Sequence, residues 1–370
     1  MDVFTFVGLV AGFVLLVAGG EFLVRGASKL AVIAGISPLV VGLTVVAAGT
    51  SSPELAVSVQ ASLGGNPDVS MGNVVGSNIF NTLAILGLCA LFLPLLVHSK
   101  VVRIDIPIMI GASVLLALLT VFDGSLDWYD GAGLLAAFVA YVAWTVVQGR
   151  RETQDVRAEF GAEFDGGVPR SPLFLARNIL LLLAGLGVLV VGARLLVDSA
   201  VELASSLGVS DAIVGLTIIA IGTSLPEVAT SVIATVRKER DIAVGNVVGS
   251  NIFNLLGILG VAATIAPVGG EAALQVKDTI VRFDMPIMVA TAVVCLPMLF
   301  KGHLVRWEGV AFLVAYGAYL VFLILTETGS GARGTFVDAL LFSSPLVAAV
   351  LGWSVFRAFR PALVERSGAA

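Results

Sequence analysis

Gly42-Leu43-Thr44-Val45-Val46-Ala47-Ala48-Gly49-Thr50-Ser51-Ser52-Pro53-Glu54-Leu55 decides how this chain is read, because the chain writes it twice. The second copy is Gly215-Leu216-Thr217-Ile218-Ile219-Ala220-Ile221-Gly222-Thr223-Ser224-Leu225-Pro226-Glu227-Val228. Each copy sets a carboxylate, two hydroxyls and a helix-breaking proline inside an apolar run long enough to cross a bilayer. A charge there costs at least about 2.5 to 3.5 kcal/mol. A cost met twice, in the same setting, points to a use.

Each copy leads into a second polar stretch, Gly72-Asn73-Val74-Val75-Gly76-Ser77-Asn78-Ile79-Phe80-Asn81 and Gly245-Asn246-Val247-Val248-Gly249-Ser250-Asn251-Ile252-Phe253-Asn254. One offset of 173 carries Glu54 to Glu227, Ser77 to Ser250 and Asn81 to Asn254. Repetition of this kind in a membrane chain points to a transporter of two related halves with its site between them.

The composition puts the chain in a bilayer: 58% hydrophobic, 13% charged and a mean hydropathy of +1.03, against about 25% charged in a soluble domain. The apolar runs are about 20 residues long and show no dyad alternation, so they read as helices rather than barrel strands. No basic stripe interleaved with aromatics is present, which argues against nucleic-acid binding. Cys89 and Cys295 fall in apolar runs at non-equivalent places, so no disulfide framework is expected. The start, Met1-Asp2-Val3-Phe4, lacks a basic region and a following cleavage site, and the first apolar run is expected to remain as a span.

Spans are expected near 3–24, 37–61, 71–96, 103–122 and 128–148, then near 174–197, 210–236, 243–267, 281–300 and 305–326. The expected fold class is thus an all-α membrane protein. Residues 1–149 form a first repeat, 150–172 a cytoplasmic linker, 173–327 a second repeat, and 328–370 an additional span near 336–356 with a tail. Five crossings per repeat is odd, so the second copy must enter the membrane inverted. The basic residues support this alternation: Lys29, Arg103, Arg150, Arg237, Lys238 and most others fall on one side, with Lys277, Arg282 and Arg333 on the other. The positive-inside rule then puts the amino terminus outside and the carboxyl terminus in the cytoplasm of a cell-membrane protein. The same offset pairs Glu21, Arg25 and Lys29 with Arg194, Asp198 and Glu202, of opposite sign at each place. The plain reading is salt bridging at helix ends. The other is that Asp198 and Glu202 draw cations to an outer mouth.

On a helix Ala47, Thr50, Ser51 and Glu54 share a face, as do Ala220, Thr223, Ser224 and Glu227. Ser77 and Asn81 share a face with Asn73 a turn away, and Ser250 and Asn254 with Asn246. Two inverted halves would bring the four faces together. Pro53 cannot donate to the Gly49 carbonyl, nor Pro226 to that of Gly222, so the loosened turns are expected to leave carbonyls unpaired, including those of Ala47 and Ala220. Carboxylate, amide oxygen, hydroxyl and carbonyl, without His or Cys, form a hard-cation set. Two glutamates neutralise one divalent or two monovalent ions, and calcium accepts such mixed oxygen ligands more readily than magnesium. If either calcium or monovalent ions must neutralise the same carboxylates, occupancy is competitive, which is what exchange requires. Plainer readings exist for each part: Gly-xxx-Gly spacing often means close packing, and a lone Ser or Thr usually bonds its own backbone. The conjunction, duplicated in register, outweighs them. Asn78 and Asn251 lie off the Ser and Asn face and are expected to brace the interrupted helices.

These two motifs resemble the alpha repeats of the cation/calcium exchanger superfamily, and the compact prokaryotic sodium/calcium exchangers in particular. The resemblance implies a ten-helix core in which helices two, three, seven and eight enclose four cation sites while helices one and six slide to alternate access. It implies as ligands Glu54, Glu227, Thr50, Ser51, Thr223, Ser224, Ser77, Asn81, Ser250, Asn254 and the carbonyls of Ala47 and Ala220. Some members carry aspartate where this chain has Asn254. It further implies a non-enzymatic antiporter that exchanges Ca2+ for Na+, with no cofactor and no protein partner. A proton- or potassium-coupled antiporter and a cation channel are the alternatives, the channel being disfavoured because filters usually assemble from several subunits.

Overall fold

The computed structural model describes residues 3–34, 36–97, 101–150, 171–209, 211–214, 217–218, 220–295 and 302–338. Among them seven helices are long and apolar enough to cross a membrane, and a bent pair forms an eighth candidate span. In chain order they are α1 (Val3–Ala34), the pair α2 (Pro38–Thr50) and α3 (Ser52–Leu63), α4 (Asp68–Phe92), α5 (Arg103–Thr120) and α6 (Trp128–Gly149). Then come the spans α7 (Pro172–Ser206), α9 (Arg240–Gly269) and α11 (Arg306–Glu327), with the shorter helices α8 (Leu225–Val236) and α10 (Met285–Val294) between them. The expected spans at 210–236 and 281–300 include residues outside the described set and contribute α8 and α10. The expected linker and additional span lie almost wholly outside it.

Burial sorts these helices into an inside and an outside. α4 and α9 are 78% and 61% buried, whereas α6 and α11 are 22% and 17% buried. Every residue from Ile242 to Ile252 is buried, and α4 and α9 supply much of the core through Met71, Val75, Ile79, Val248, Ile252 and Leu259. Apolar side chains such as Phe4, Phe13, Leu180 and Val314 cover the outside, the arrangement expected where the surrounding solvent is hydrocarbon.

α1 and α7 run antiparallel in close contact. Gly12 meets Gly192, and seven residues along Gly19 meets Gly185. A Cβ on Gly19 would lie 2.6 Å from the Leu189 amide nitrogen, and one on Gly185 2.5 Å from that of Leu23. Glycines at heptad spacing thus let the two backbones touch, the usual route to tight helix pairing in lipid.

The two motif copies are breaks. α2 and α3 meet at 47° around Ser51, whose φ and ψ of −83° and 11° leave the helical region, as do the −90° and 8° of Ser224. Proline sits at the start of both following helices, where its missing N–H leaves nothing unsatisfied. π-helical turns also recur in both halves, at Asn81–Ile85 and Phe253–Ile258, and again at Val101–Asp105 and Ile280–Asp284. Two short ribbons tie connections of one half to those of the other, Leu95–Leu96 with His303–Leu304 and Ser125–Asp127 with Ala273–Gln275.

Gly185→Leu is expected to force α1 and α7 apart at a cost of about 1–3 kcal/mol. Thermal melting of the purified protein in detergent should show a lowered midpoint; an unchanged midpoint would mean the backbone contact carries no stability.

Candidate ion site

The breaks place each glutamate in the first turn of a new helix, Glu54 in α3 and Glu227 in α8. Free amide groups and the positive end of the helix dipole favour a carboxylate there. Both glutamates are fully buried, and each is held from the opposite copy of the motif. The Ser51 hydroxyl donates to Glu227 Oε1 at 2.7 Å, and the Ser224 hydroxyl to Glu54 Oε1 at 2.8 Å. Ser77 Oγ lies 3.2 Å from Ser224 Oγ, which brings α4 to the same place.

Several oxygens of this region are buried and have no protein partner: Glu54 Oε2, Glu227 Oε2, Asn81 Oδ1, Asn254 Oδ1, Ser250 Oγ and Thr223 Oγ1. Unpartnered buried polar atoms cost about 1–3 kcal/mol each, so these six motif oxygens are groups that a ligand could satisfy. Among the described residues no group of three or more His, Cys, Asp or Glu gathers to hold a metal. The donors are hydroxyl, amide and carboxylate oxygens, which suit hard cations.

The carbonyl expectation needs correction. The Ala47 carbonyl is not left unpaired: it accepts the Ser51 N–H at 3.0 Å and lies 3.3 Å from the Thr50 hydroxyl. The carbonyl that Pro53 does release, that of Gly49, accepts the Ser52 hydroxyl at 2.7 Å. In the second copy the Ser224 N–H goes to Ile221 at 3.1 Å, in place of the Ala220 carbonyl one residue earlier. The asparagine expectation is also revised. Asn78 and Asn251 bond across α4 and α9 rather than to the interrupted helices: Asn78 Nδ2 donates to the Asn251 carbonyl, and Asn251 Nδ2 to Thr82 Oγ1.

Two supporting pairs escaped the sequence reading. Asn73 Nδ2 donates to the Glu54 carbonyl at 3.1 Å and to Ser58 Oγ at 3.0 Å. Asn246 Nδ2 donates to Ser231 Oγ at 2.9 Å, while its Oδ1 accepts from Thr50 at 3.1 Å. The missed signal was a serine four residues beyond each glutamate, Ser58 and Ser231, one turn along the same face.

A cleft of about 220 Å³ lies between α3 and α7. Ala56 and Gln60 line it from α3 and Ala193, Arg194 and Asp198 from α7, and the motif residue Thr223 also lines it. The repeat-related contact between α1 and α8 is closed. A Cβ on Gly20 would lie 2.5 Å from Ile233 Cδ1 and 3.4 Å from the Ala229 carbonyl. Gly20, Ala229 and Ile233 correspond by the 173-residue offset to Ala193, Ala56 and Gln60 of the open cleft. Glu21 completes the closed side, pairing with Arg25 at 2.5 Å and with Arg237 of the residue step after α8. The two charge stripes thus differ in fate: Glu21 and Arg25 of the first form a salt bridge, whereas Arg194 and Asp198 of the second line a cleft.

A break-built oxygen site among apolar spans defines a membrane transport protein. The sequence model of the family described as sodium/calcium exchanger protein matches residues 4–147 and 177–325, and the chain belongs to that family, which consists of exchangers and not enzymes. The chain is 32% identical to the sodium/calcium exchanger MaX1 of Methanosarcina acetivorans, over 86% of this chain and 98% of that one. It is 37% identical to the inner membrane protein YrbG of Escherichia coli, over 86% and 95%. A solved structure of the sodium-calcium exchanger NCX_Mj superposes with a TM-score of 0.74 at 30% identity, covering 87% of this chain and 99% of that one.

Asn246→Ala removes the partner of both Ser231 and Thr50, and should destabilise the cation-free protein by about 1–3 kcal/mol. A melting midpoint equal to wild type would show that Asn246 is not needed to hold the two helices together.

Proposed function

We propose that the protein is a secondary antiporter that exchanges Ca2+ for Na+ across the cell membrane by alternating access. The observation that carries this reading is the reciprocal hold of the two glutamates, each bonded through one oxygen to the other repeat's serine, with its second oxygen buried and unpartnered. Two carboxylates tied into one site can be neutralised by one calcium ion or by sodium ions, and not fully by both. Occupancy is then competitive. The neutral oxygens of Asn81, Asn254, Ser77, Ser250, Thr50 and Thr223 supply ligands for sodium ions beyond the number the charges can balance. Protons would need none of these.

In this reading residues 1–149 and 173–327 are inverted repeats of five helices, joined by a cytoplasmic linker. The antiparallel α1 and α7, the first helices of the two halves, support it. With the amino terminus outside, α7 runs outward from the linker, so the cleft beside Asp198 opens to the outer face. The closed contact of Gly20 with Ala229 and Ile233 faces inward. Sliding of α1 and α7 together against the broken helices would open one contact as it closes the other, because Gly20 and Ala193 occupy equivalent places. MaX1 and NCX_Mj are named as sodium/calcium exchangers, which is consistent with the ion pair. If three sodium ions move against one calcium, each cycle carries one positive charge, worth about 2.3 kcal/mol per 100 mV.

Calcium uptake into liposomes carrying the purified protein is expected to require internal sodium and to respond to an imposed potential. Glu54→Gln and Glu227→Gln should each abolish uptake while the protein still inserts, because one missing charge leaves a divalent ion half balanced in a low-dielectric site. Asn81→Ala and Asn254→Ala should weaken uptake less. Uptake driven equally by a pH gradient without sodium would replace sodium with protons, and flux with every counter-ion removed would make the protein a pore.

A further inference from the structure

Asn81 and Asn254 raise a problem of orientation that a carboxylate does not. An amide side chain has one accepting oxygen and one donating nitrogen, and only the oxygen can hold a cation. Something must decide which end faces the ions. Both residues are buried, with Oδ1 lacking a protein partner, so the decision lies with what their nitrogens meet.

Each nitrogen meets an asparagine of the other half. Asn254 Nδ2 donates to Asn78 Oδ1 at 3.0 Å, and Asn81 Nδ2 donates to Asn251 Oδ1 at 3.1 Å. The second pair is the first displaced by 173 residues, with the roles of the halves exchanged. The orientation of Asn78 is itself determined. Its nitrogen lies 3.4 Å from the Asn251 carbonyl, and a carbonyl can only accept. Asn78 therefore presents Oδ1 on its other side, where Asn254 can answer only with Nδ2. Asn251 is set by a sulfur instead: its nitrogen lies 3.4 Å from Met109 Sδ, which only accepts, and it also donates at 2.9 Å to Thr82 Oγ1, a hydroxyl that can bond either end of an amide. The chain of constraint runs from a backbone carbonyl and a methionine sulfur, through Asn78 and Asn251, to the free oxygens of Asn254 and Asn81.

We propose that Asn78 and Asn251 are positioning residues that turn the amide oxygens of Asn254 and Asn81 toward the transported cations. The inference rests on the exchanger reading and deepens it. It also explains why this chain can use asparagine at 254: a neutral ligand works there only while Asn78 holds it. An aspartate would need no such hold, having two equivalent oxygens, and would meet the Asn78 oxygen with a like partial charge.

That difference supplies the test. Calcium half-saturation and maximal rate are measured in sodium-loaded proteoliposomes for wild type, Asn78→Ala, Asn254→Asp and the double variant. Asn78→Ala is expected to raise the calcium half-saturation by ~10-fold or more, the usual effect of removing an orienting partner from a metal ligand. In the Asn254→Asp background the same change should cost severalfold less, because nothing remains to orient. An equal penalty in both backgrounds would make Asn78 a packing residue and overturn the proposal, as would normal half-saturation in Asn78→Ala. Should Asn78→Ala not be recovered folded, Asn251→Ala with Asn81→Asp gives the repeat-related cycle. Wild-type vesicles that take up no calcium would refute the exchanger reading itself, an outcome distinct from any pattern among the variants.

Discussion

Two buried carboxylates, each gripped by the serine of the opposite broken helix, set the terms for the rest of this structure. Ser51 reaches Glu227 and Ser224 reaches Glu54, so neither half can hold its own acid in place alone. Charge in this setting is tolerated only with compensation. The compensation within the protein is partial: one oxygen of each carboxylate is bonded, the glutamates sit at helix N-termini, and the second oxygens are left over. The fold is arranged to keep that shortfall confined to one place. Asn73 and Asn246 anchor the turns that follow the breaks to Ser58 and Ser231, and the well-buried α4 and α9 enclose the region.

In the proposed exchange the same pair of breaks also links the site to movement. An unbroken span would pack along its whole length, whereas each broken one leaves a second helix, α3 or α8, facing its own long neighbour. One of these contacts is shut through Gly20, Ala229 and Ile233, and its counterpart is a cleft between Ala193, Ala56 and Gln60. Equivalent residues in unequal states are what a device with two arrangements looks like when one is occupied. α1 and α7 touch backbone to backbone at their glycines, which suits them to shift as a unit.

Much of this could be read in the sequence because the chemistry is duplicated. A lone Pro-Glu in an apolar run is ambiguous, but a second copy at a constant offset turned Glu54, Ser51, Ser77 and Asn81 into a pattern, and the structure brings Ser51 to Glu227 and Ser224 to both Glu54 and Ser77. Other features were illegible for physical reasons. Proline predicts which carbonyl loses its amide, yet not that the Ser52 hydroxyl replaces it at Gly49, or that Ser51 recaptures Ala47. Helical projection assigned Asn78 and Asn251 to bracing the breaks. It could not foresee that they meet each other's helix, since contacts between halves depend on packing rather than periodicity. The π turns shift the register after Asn81 and Asn254 by an extra residue, which defeats projection from a straight helix. The charge stripes were legible as stripes, while their division into a salt-bridged set and a cleft wall depends on which side is closed.

In the proposed exchange one site, shared between the halves, is satisfied either by calcium or by sodium. Equilibrium calcium binding to the purified protein, titrated at rising sodium with ionic strength held constant, tests it most directly. Sodium is expected to raise the apparent calcium Kd without a plateau, and Glu54→Gln with Glu227→Gln to remove the sodium-sensitive binding. A calcium Kd that levels off at saturating sodium, with both ions bound together, would contradict it.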